Sequence, residues 1–184
     1  MLRKSSPFVF SSANSILSGR PKGGEILDRL MDHLRAEEVG TVVPLDFSRI
    51  EFLDISCADE FLTKLLLRIR SGELEGRFVF IRDANPSVRE TLQAVLQLRG
   101  LAALSGDEEG VEILGELKMP IRETLEVLLE RKRLTSGELA RALNKNVNIA
   151  CNRLNVLQRM GLIYRLREDA LPVGGRQYRY ESIL

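Results

Sequence analysis

Near the end of the chain Val147, Ala150, Leu154 and Leu157 recur at a 3-4-3 spacing, which makes one apolar stripe on a helix. Asn148, Ile149, Asn152, Asn155 and Arg159 then face outward or flank that stripe. Asparagine is a poor helix former, so several on one short helix are a cost that wants an explanation. One explanation is chemical, because a carboxamide can make a bidentate contact with an adenine edge in the major groove of DNA. A second set of polar residues, Asp46, Asp54, Asp59 and Glu60, suggests an acid/base pair or a magnesium site. Strand ends and the first turn of a helix also use carboxylates for structure. No histidine, lysine or serine is placed to complete a catalytic set beside them, so the chain is expected not to be an enzyme. One histidine, His33, and two distant cysteines, Cys57 and Cys151, make neither an ordinary zinc site nor a disulfide scaffold. Both cysteines read as packing residues, and His33 as a surface residue of an amphipathic helix. Gly19-Arg-Pro-Lys-Gly-Gly24 lacks the Gly-Lys-Ser/Thr ending of a phosphate loop and reads as a flexible helix entry. No cofactor and no metal are expected.

The 184 residues leave room for one ordinary domain or two small ones, and 44% apolar with 29% charged residues excludes wholesale disorder. No apolar run approaches the roughly 20 residues of a membrane span. The opening apolar stretch breaks after three positions, so a signal peptide is not expected and a cytoplasmic location is. The net charge of +1 conceals an asymmetry. Residues 119–184 carry twelve Lys and Arg against seven Asp and Glu, whereas the remainder carries fifteen against nineteen. An acidic front and a basic back point to two modules with different partners, and only the back suits a polyanion.

The hydrophobic pattern supplies the elements that hold these residues. Strands are expected at Pro7–Ser12, Thr41–Phe47, Arg77–Arg82 and Val111–Leu117. Pro44 is an objection to the second, because it donates no ladder hydrogen bond and belongs at an edge or bulge. Helices are expected over about Glu25–Ala36, Ser56–Arg70 and Pro86 to the Gly100 stop. The alternation favours an α/β layer. From Met119 the pattern changes to three helices, about Ile121–Arg131, Ser136–Leu143 and Val147–Met160. Strand-like alternation follows from Leu162 to Tyr180 around Pro172-Val-Gly-Gly175. Thr135 and Glu138 have the spacing of a capping box that opens the second of these helices.

Thr135-Ser-Gly-Glu-Leu-Ala-Arg-Ala-Leu143, the Val147–Leu157 helix, Met160-Gly-Leu-Ile-Tyr164 and Gly174-Gly-Arg-Gln-Tyr-Arg-Tyr180 together resemble a bacterial winged helix-turn-helix domain over residues 119–184. The resemblance implies that the third helix enters the major groove of double-stranded DNA and that the hairpin wing lies along backbone or minor groove. It makes Asn148, Ile149, Asn152 and Arg153 base-side candidates. Arg165, Arg167, Arg176 and Arg179 become wing contacts, and Thr135, Ser136 and Arg141 backbone anchors. Arg153, beside Leu154, can instead point into a helix–helix groove. The blander alternatives are that the arginines are a solvated hairpin and the asparagines turn residues, or that the winged helix binds protein; DNA binding is the favoured reading.

Val43–Leu62, with its Leu-Asp-Phe-Ser and Ala-Asp-Glu-Phe-Leu segments, resembles the STAS domain of sulfate transporters and anti-sigma-factor antagonists. So does Phe78–Leu92 with its Asn-Pro-Ser-Val, followed by Gly100-Leu101. The resemblance covers residues 8–117 and implies an α/β STAS-like domain over 1–118. In antagonists a serine directly after the motif aspartate is phosphorylated by a kinase-like ATPase. Here Ile55 follows Asp54 and the usual glycine is Cys57. Ser56 has two readings, a phosphorylation site or simply the helix N-cap. The chain is thus expected to be a homodimeric DNA-binding transcriptional regulator whose front half binds a partner or senses a signal. The rival expectation is a partner-switching scaffold using both halves for protein contacts. A gel shift on its own upstream region at two salt concentrations separates the two.

Overall fold

The computed structural model describes residues 2–107, 110–167 and 178–184, with the backbone alone at Asp107 and Arg167. The fold is mixed α/β, in two compact units, Leu2–Leu117 and Lys118–Leu184.

In the first unit, β2 (Phe8–Val9) lies within the strand expected at Pro7–Ser12, and β1 (Arg3–Lys4), before it, was not expected. β3 (Ile16–Leu17) then leads to α1 (Arg20–Ala36) and β4 (Thr41–Asp46). β5 (Phe52–Leu53) precedes a continuous helix in three parts: α2 (Ile55–Ala58), a π turn at Asp59–Thr63, and α3 (Lys64–Ser71). β6 (Arg77–Arg82), α4 (Pro86–Arg99), β7 (Ala102–Asp107) and β8 (Gly110–Gly115) complete the unit. β1 and β2 both pair with β4, and the sheet continues through β6 and β7 to β8. All these pairings are parallel except β7–β8, and β3 pairs with β5 in a separate two-stranded sheet. Side chains alternate between the faces of a strand. Val43, Leu45, Val79, Ile81, Ala103 and Leu114 accordingly join Leu30, Leu34, Leu62, Leu65, Leu92 and Leu96 of the helices in one core.

Four expectations change. Pro44 lies in a strand paired on both sides, not at an edge. The carbonyls of Val42 and Asp46 accept from Ser5 and Phe10, so Pro44 turns its backbone to the same side. There it meets the interruption between β1 and β2, where its missing N–H is least needed. The helix expected from Glu25 starts at Arg20, with Pro21 in the first turn, where its fixed φ suits the helix. Gly23 lies inside that helix because a Cβ there would stand 2.6 Å from Cβ of Glu60 and 2.7 Å from the Cys57 carbonyl oxygen. Strand β7 was not expected, and β8 begins and ends earlier than Val111–Leu117. Ser56 is not the N-cap of α2. Asp54 is, and its carboxylate accepts from the N–H of Cys57 at 2.7 Å.

In the second unit, α5 (Met119–Arg131), a short strand β9 (Arg133–Thr135), α6 (Ser136–Ala142), α7 (Val147–Arg159), β10 (Ile163–Arg167) and β11 (Tyr178–Ser182) follow in order. The strands form an antiparallel sheet with β11 between β10 and β9. Leu125, Leu128, Leu134, Leu139, Ala140, Ala150, Leu154, Leu157, Ile163 and Tyr180 are buried within it. β9 was not expected, because three residues are too few for a periodic signal. The turn expected around Pro172–Gly175 lies outside the described residues.

Candidate nucleic-acid interface

α7 starts sharply. Asn144 adopts a left-handed φ of 50° in the preceding turn, and the Asn146 side chain caps the helix by accepting from the Ile149 N–H at 2.9 Å. Ala150, Leu154 and Leu157 are buried. At 100° per residue, Asn148, Asn152, Asn155 and Arg159 fall within about 60° of one another on the side away from that stripe. Asn148, Asn152 and Arg159 are exposed and Asn155 half-exposed. Ile149, 39% exposed, lies on the flank of this polar face. Arg153 is elsewhere: its guanidinium meets the Glu123 carboxylate of α5 at 3.1 Å, and its side chain is 14% exposed. The helix–helix groove is the position it takes.

The proposed backbone anchors divide in the same way. Thr135 is buried, its hydroxyl accepting from the Glu138 N–H at 3.2 Å and donating to the Glu138 carboxylate at 2.9 Å. That carboxylate also accepts from the Thr135 N–H at 2.7 Å, closing the capping box. Thr135 therefore holds α6 in place and offers no hydroxyl to a phosphate. The same bonds hold the Glu138 carboxyl below its usual range, aided by the charges of Arg179 and Arg141. Ser136 is half-exposed at the start of α6. Arg141 is exposed and lines a shallow basin with Arg131, Glu138 and Ala142. Arg131 is a cation that periodicity did not single out, since its approach to Arg141 depends on how α5 and α6 pack.

The hairpin splits the wing candidates. Arg165 pairs with Tyr180 and Leu166 with Arg179, so Arg165 and Arg179 point to opposite faces of the sheet. Arg165 is exposed, with its guanidinium over the Tyr178 ring at 4.6 Å, a cation–π contact that orders it. Tyr180 is buried, which raises its hydroxyl pKa, and the Arg165 charge opposes that shift. Arg179 lies opposite Thr135 of β9, and its charge acts on the Glu138 carboxylate. Arg167 is described in its backbone alone, and Arg176 lies outside the described residues.

The acidic candidates of the first unit are each committed to structure. Burial of Asp46 opposes ionisation, but Ser48 and the Arg82 guanidinium (2.5 Å) hold its carboxyl below the usual range. Asp54 accepts from the Ser18 hydroxyl and from the N–H groups of Gly19 (2.8 Å) and Cys57, which likewise outweigh burial. Asp59 makes a bidentate pair with Arg99 at 2.8 and 2.7 Å, and Glu60 pairs with Lys64 and Arg20. Burial pushes the Cys57 thiol up to about 12, so it is no nucleophile at neutral pH. Ser56 is exposed one residue before Cys57. Among the described residues no three His, Cys, Asp or Glu side chains are grouped to hold a metal, and no helix is long and apolar enough to cross a membrane. No family model matches the chain, and no curated protein matches it significantly.

Proposed function

We propose that the chain is a DNA-binding transcriptional regulator, with a winged helix-turn-helix in residues 119–184 and a STAS-like domain before it. The observation that carries the reading is the exposed polar face of α7, bearing Asn148, Asn152, Asn155 and Arg159. The order α5, β9, α6, α7, then the β10–β11 hairpin supports it, because helix-turn-helix readers present their second motif helix to the major groove and a wing beside it. Arg165, Arg141 and Arg131 would meet phosphates, and the surplus of basic residues over 119–184 suits a polyanion. The regulator would work as a homodimer on paired half-sites, in the cytoplasm, with no catalysis, metal or cofactor assigned.

The STAS-like half would bind a protein partner or sense a signal. Ile16 and Phe52 are neighbours in register on the exposed face of the β3–β5 sheet, and Ile55 begins the following helix. They are 40%, 47% and 55% exposed, the first two a paired apolar surface and the third the neighbour of exposed Ser56 in the chain. These exposed apolar side chains favour a protein contact, and they also keep a second reading open: a partner-switching scaffold, with a kinase-like ATPase at this surface.

A gel shift of the full chain on its own upstream region, at 50 and 200 mM salt, tests the proposal. Sequence-selective retention that weakens steeply with salt is expected. No retention at either salt overturns the DNA reading in favour of the scaffold.

A further inference from the structure

We infer that α7 selects A·T-rich half-sites, reading adenine edges in the major groove with Asn148, Asn152 and Asn155; the inference rests on the DNA-binding reading. Five asparagines occupy residues 144–155, and the structure separates their uses. Asn144 supplies a left-handed turn and Asn146 caps the helix, two structural roles that asparagine fills well. Asn148, Asn152 and Asn155 have neither role. Asn152 and Asn155 sit inside the helix, where each costs several tenths of a kcal/mol relative to alanine, and Asn148 lies in its first turn. All three turn away from the buried stripe, and no described contact uses their amides.

A carboxamide is the side chain that matches adenine, donating to N7 and accepting from the N6 amino group. Residues 148–155 span about 10 Å at 1.5 Å per residue, roughly three base steps of 3.4 Å. Ile149, beside them and part-exposed, offers an apolar surface to a thymine methyl. The guanine reader is missing from this part of the helix. Arginine is the usual partner of guanine O6 and N7, and Arg153 is held by Glu123 on the flank. Arg159 shares the polar face but lies about 16 Å along the axis from Asn148, in the last turn. Recognition helices contact bases through their N-terminal part.

The test selects binding sites for the full chain from a random duplex library. It then compares, by fluorescence anisotropy, the selected duplex, its A·T-to-G·C versions and a version with 7-deazaadenine. That analogue removes N7 in the major groove and leaves pairing and the minor groove intact. Selected sites are expected to carry two or three adjacent A·T pairs per half-site. Each G·C replacement, and 7-deazaadenine, should weaken binding about tenfold or more. Asn148→Ala and Asn152→Ala should erase the penalty for 7-deazaadenine at their positions while melting no earlier than the parent, since both residues are exposed. Selected sites rich in G·C, or tight binding that ignores 7-deazaadenine, would overturn the adenine inference with DNA binding left standing. Failure to retain any duplex would overturn the DNA reading itself.

Discussion

Asp59 shows how a residue that looks chemical in the sequence is spent on structure. It stands at the π turn, is 8% exposed, and joins Arg99 at the end of α4 through two parallel hydrogen bonds, with Arg20 of α1 at 3.5 Å. One carboxylate thus ties three helices, and removing its charge leaves the Arg99 guanidinium without its carboxylate, while Arg20 keeps Glu60 at 3.1 Å. Asp59→Asn should cost roughly 1.5–3 kcal/mol, the range for hydrogen bonds to charged groups, measured by urea unfolding at pH 7. The sign of the pH effect follows from Arg99, whose hydrogen bonds hold the Asp59 carboxyl below its ordinary value. The stabilisation is complete above the unfolded carboxylate range, near 4, and is lost as pH falls through the lower folded value. Between pH 5 and pH 3 the parent should therefore lose more stability than Asp59→Asn; equal slopes would remove the pair from the account. Cys57 offers a separate check. With its thiol pushed up to about 12 and its side chain buried, it should ignore a maleimide at pH 7.5, whereas half-buried Cys151 should react. One thiol should titrate in the native protein and two in denaturant.

At the scale of elements, α1 and α6 show what spacing can and cannot foretell. The Thr135–Glu138 capping box is local, lies within four residues, and is readable from residue types alone. Thr135→Ala should lower stability by about 1 kcal/mol without altering the exposed face of α7, as a denaturation curve and a gel shift would show. Gly23 and Gly24 look alike in the sequence but not in the fold. A Cβ at Gly24 meets nothing within 4 Å, so Gly24→Ala should stabilise by about 0.5–1 kcal/mol, the helix propensity gain. At Gly23 the same methyl runs into Glu60 and the Cys57 carbonyl, and the sign should reverse to a loss of about 1–3 kcal/mol. A thermal melt of the two variants decides it. The same distinction between local and distant causes runs through the whole reading. The buried strands β4 and β6 and the stripes of α4, α5 and α7 follow from periodicity. Strand β7 does not, since Ala102, Ala103 and Ser105 lack the branched side chains that mark strands, and pairing with β6 and β8 supplies what propensity does not. The outward asparagines of α7 were legible as a face. The withdrawal of Arg153 toward Glu123, thirty residues away, was not, nor was the placing of Arg165 and Arg179 on opposite faces of the sheet.

For the whole molecule, what matters is charge carried unevenly along the chain. The total of +1 would predict weak interaction with a polyanion, yet residues 119–184 have twelve basic side chains against seven acidic. Not all twelve are available. Arg153 is paired with Glu123, Arg133 with Glu181 at 2.7 Å, and Arg122 lies 3.7 Å from Glu126. Exposed Arg141, Lys145, Arg159 and Arg165 keep their charge toward solvent. Each phosphate contact releases condensed counterions and steepens the fall of log K with log salt by about 0.9. If Arg141 and Arg165 touch phosphates, Arg141→Ala/Arg165→Ala should make that slope shallower by nearly 2. Affinity at low salt should drop uniformly across duplex sequences, because phosphates carry no base identity. Arg122→Ala/Arg133→Ala is the matched control: it removes the same two charges from the net total but from arginines already paired with Glu126 and Glu181, so its slope should change by much less. Anisotropy titrations at four salt concentrations separate the two cases. Were Arg122→Ala/Arg133→Ala to flatten the slope as much as Arg141→Ala/Arg165→Ala does, net charge alone would account for the attraction and the positions of the arginines would not matter.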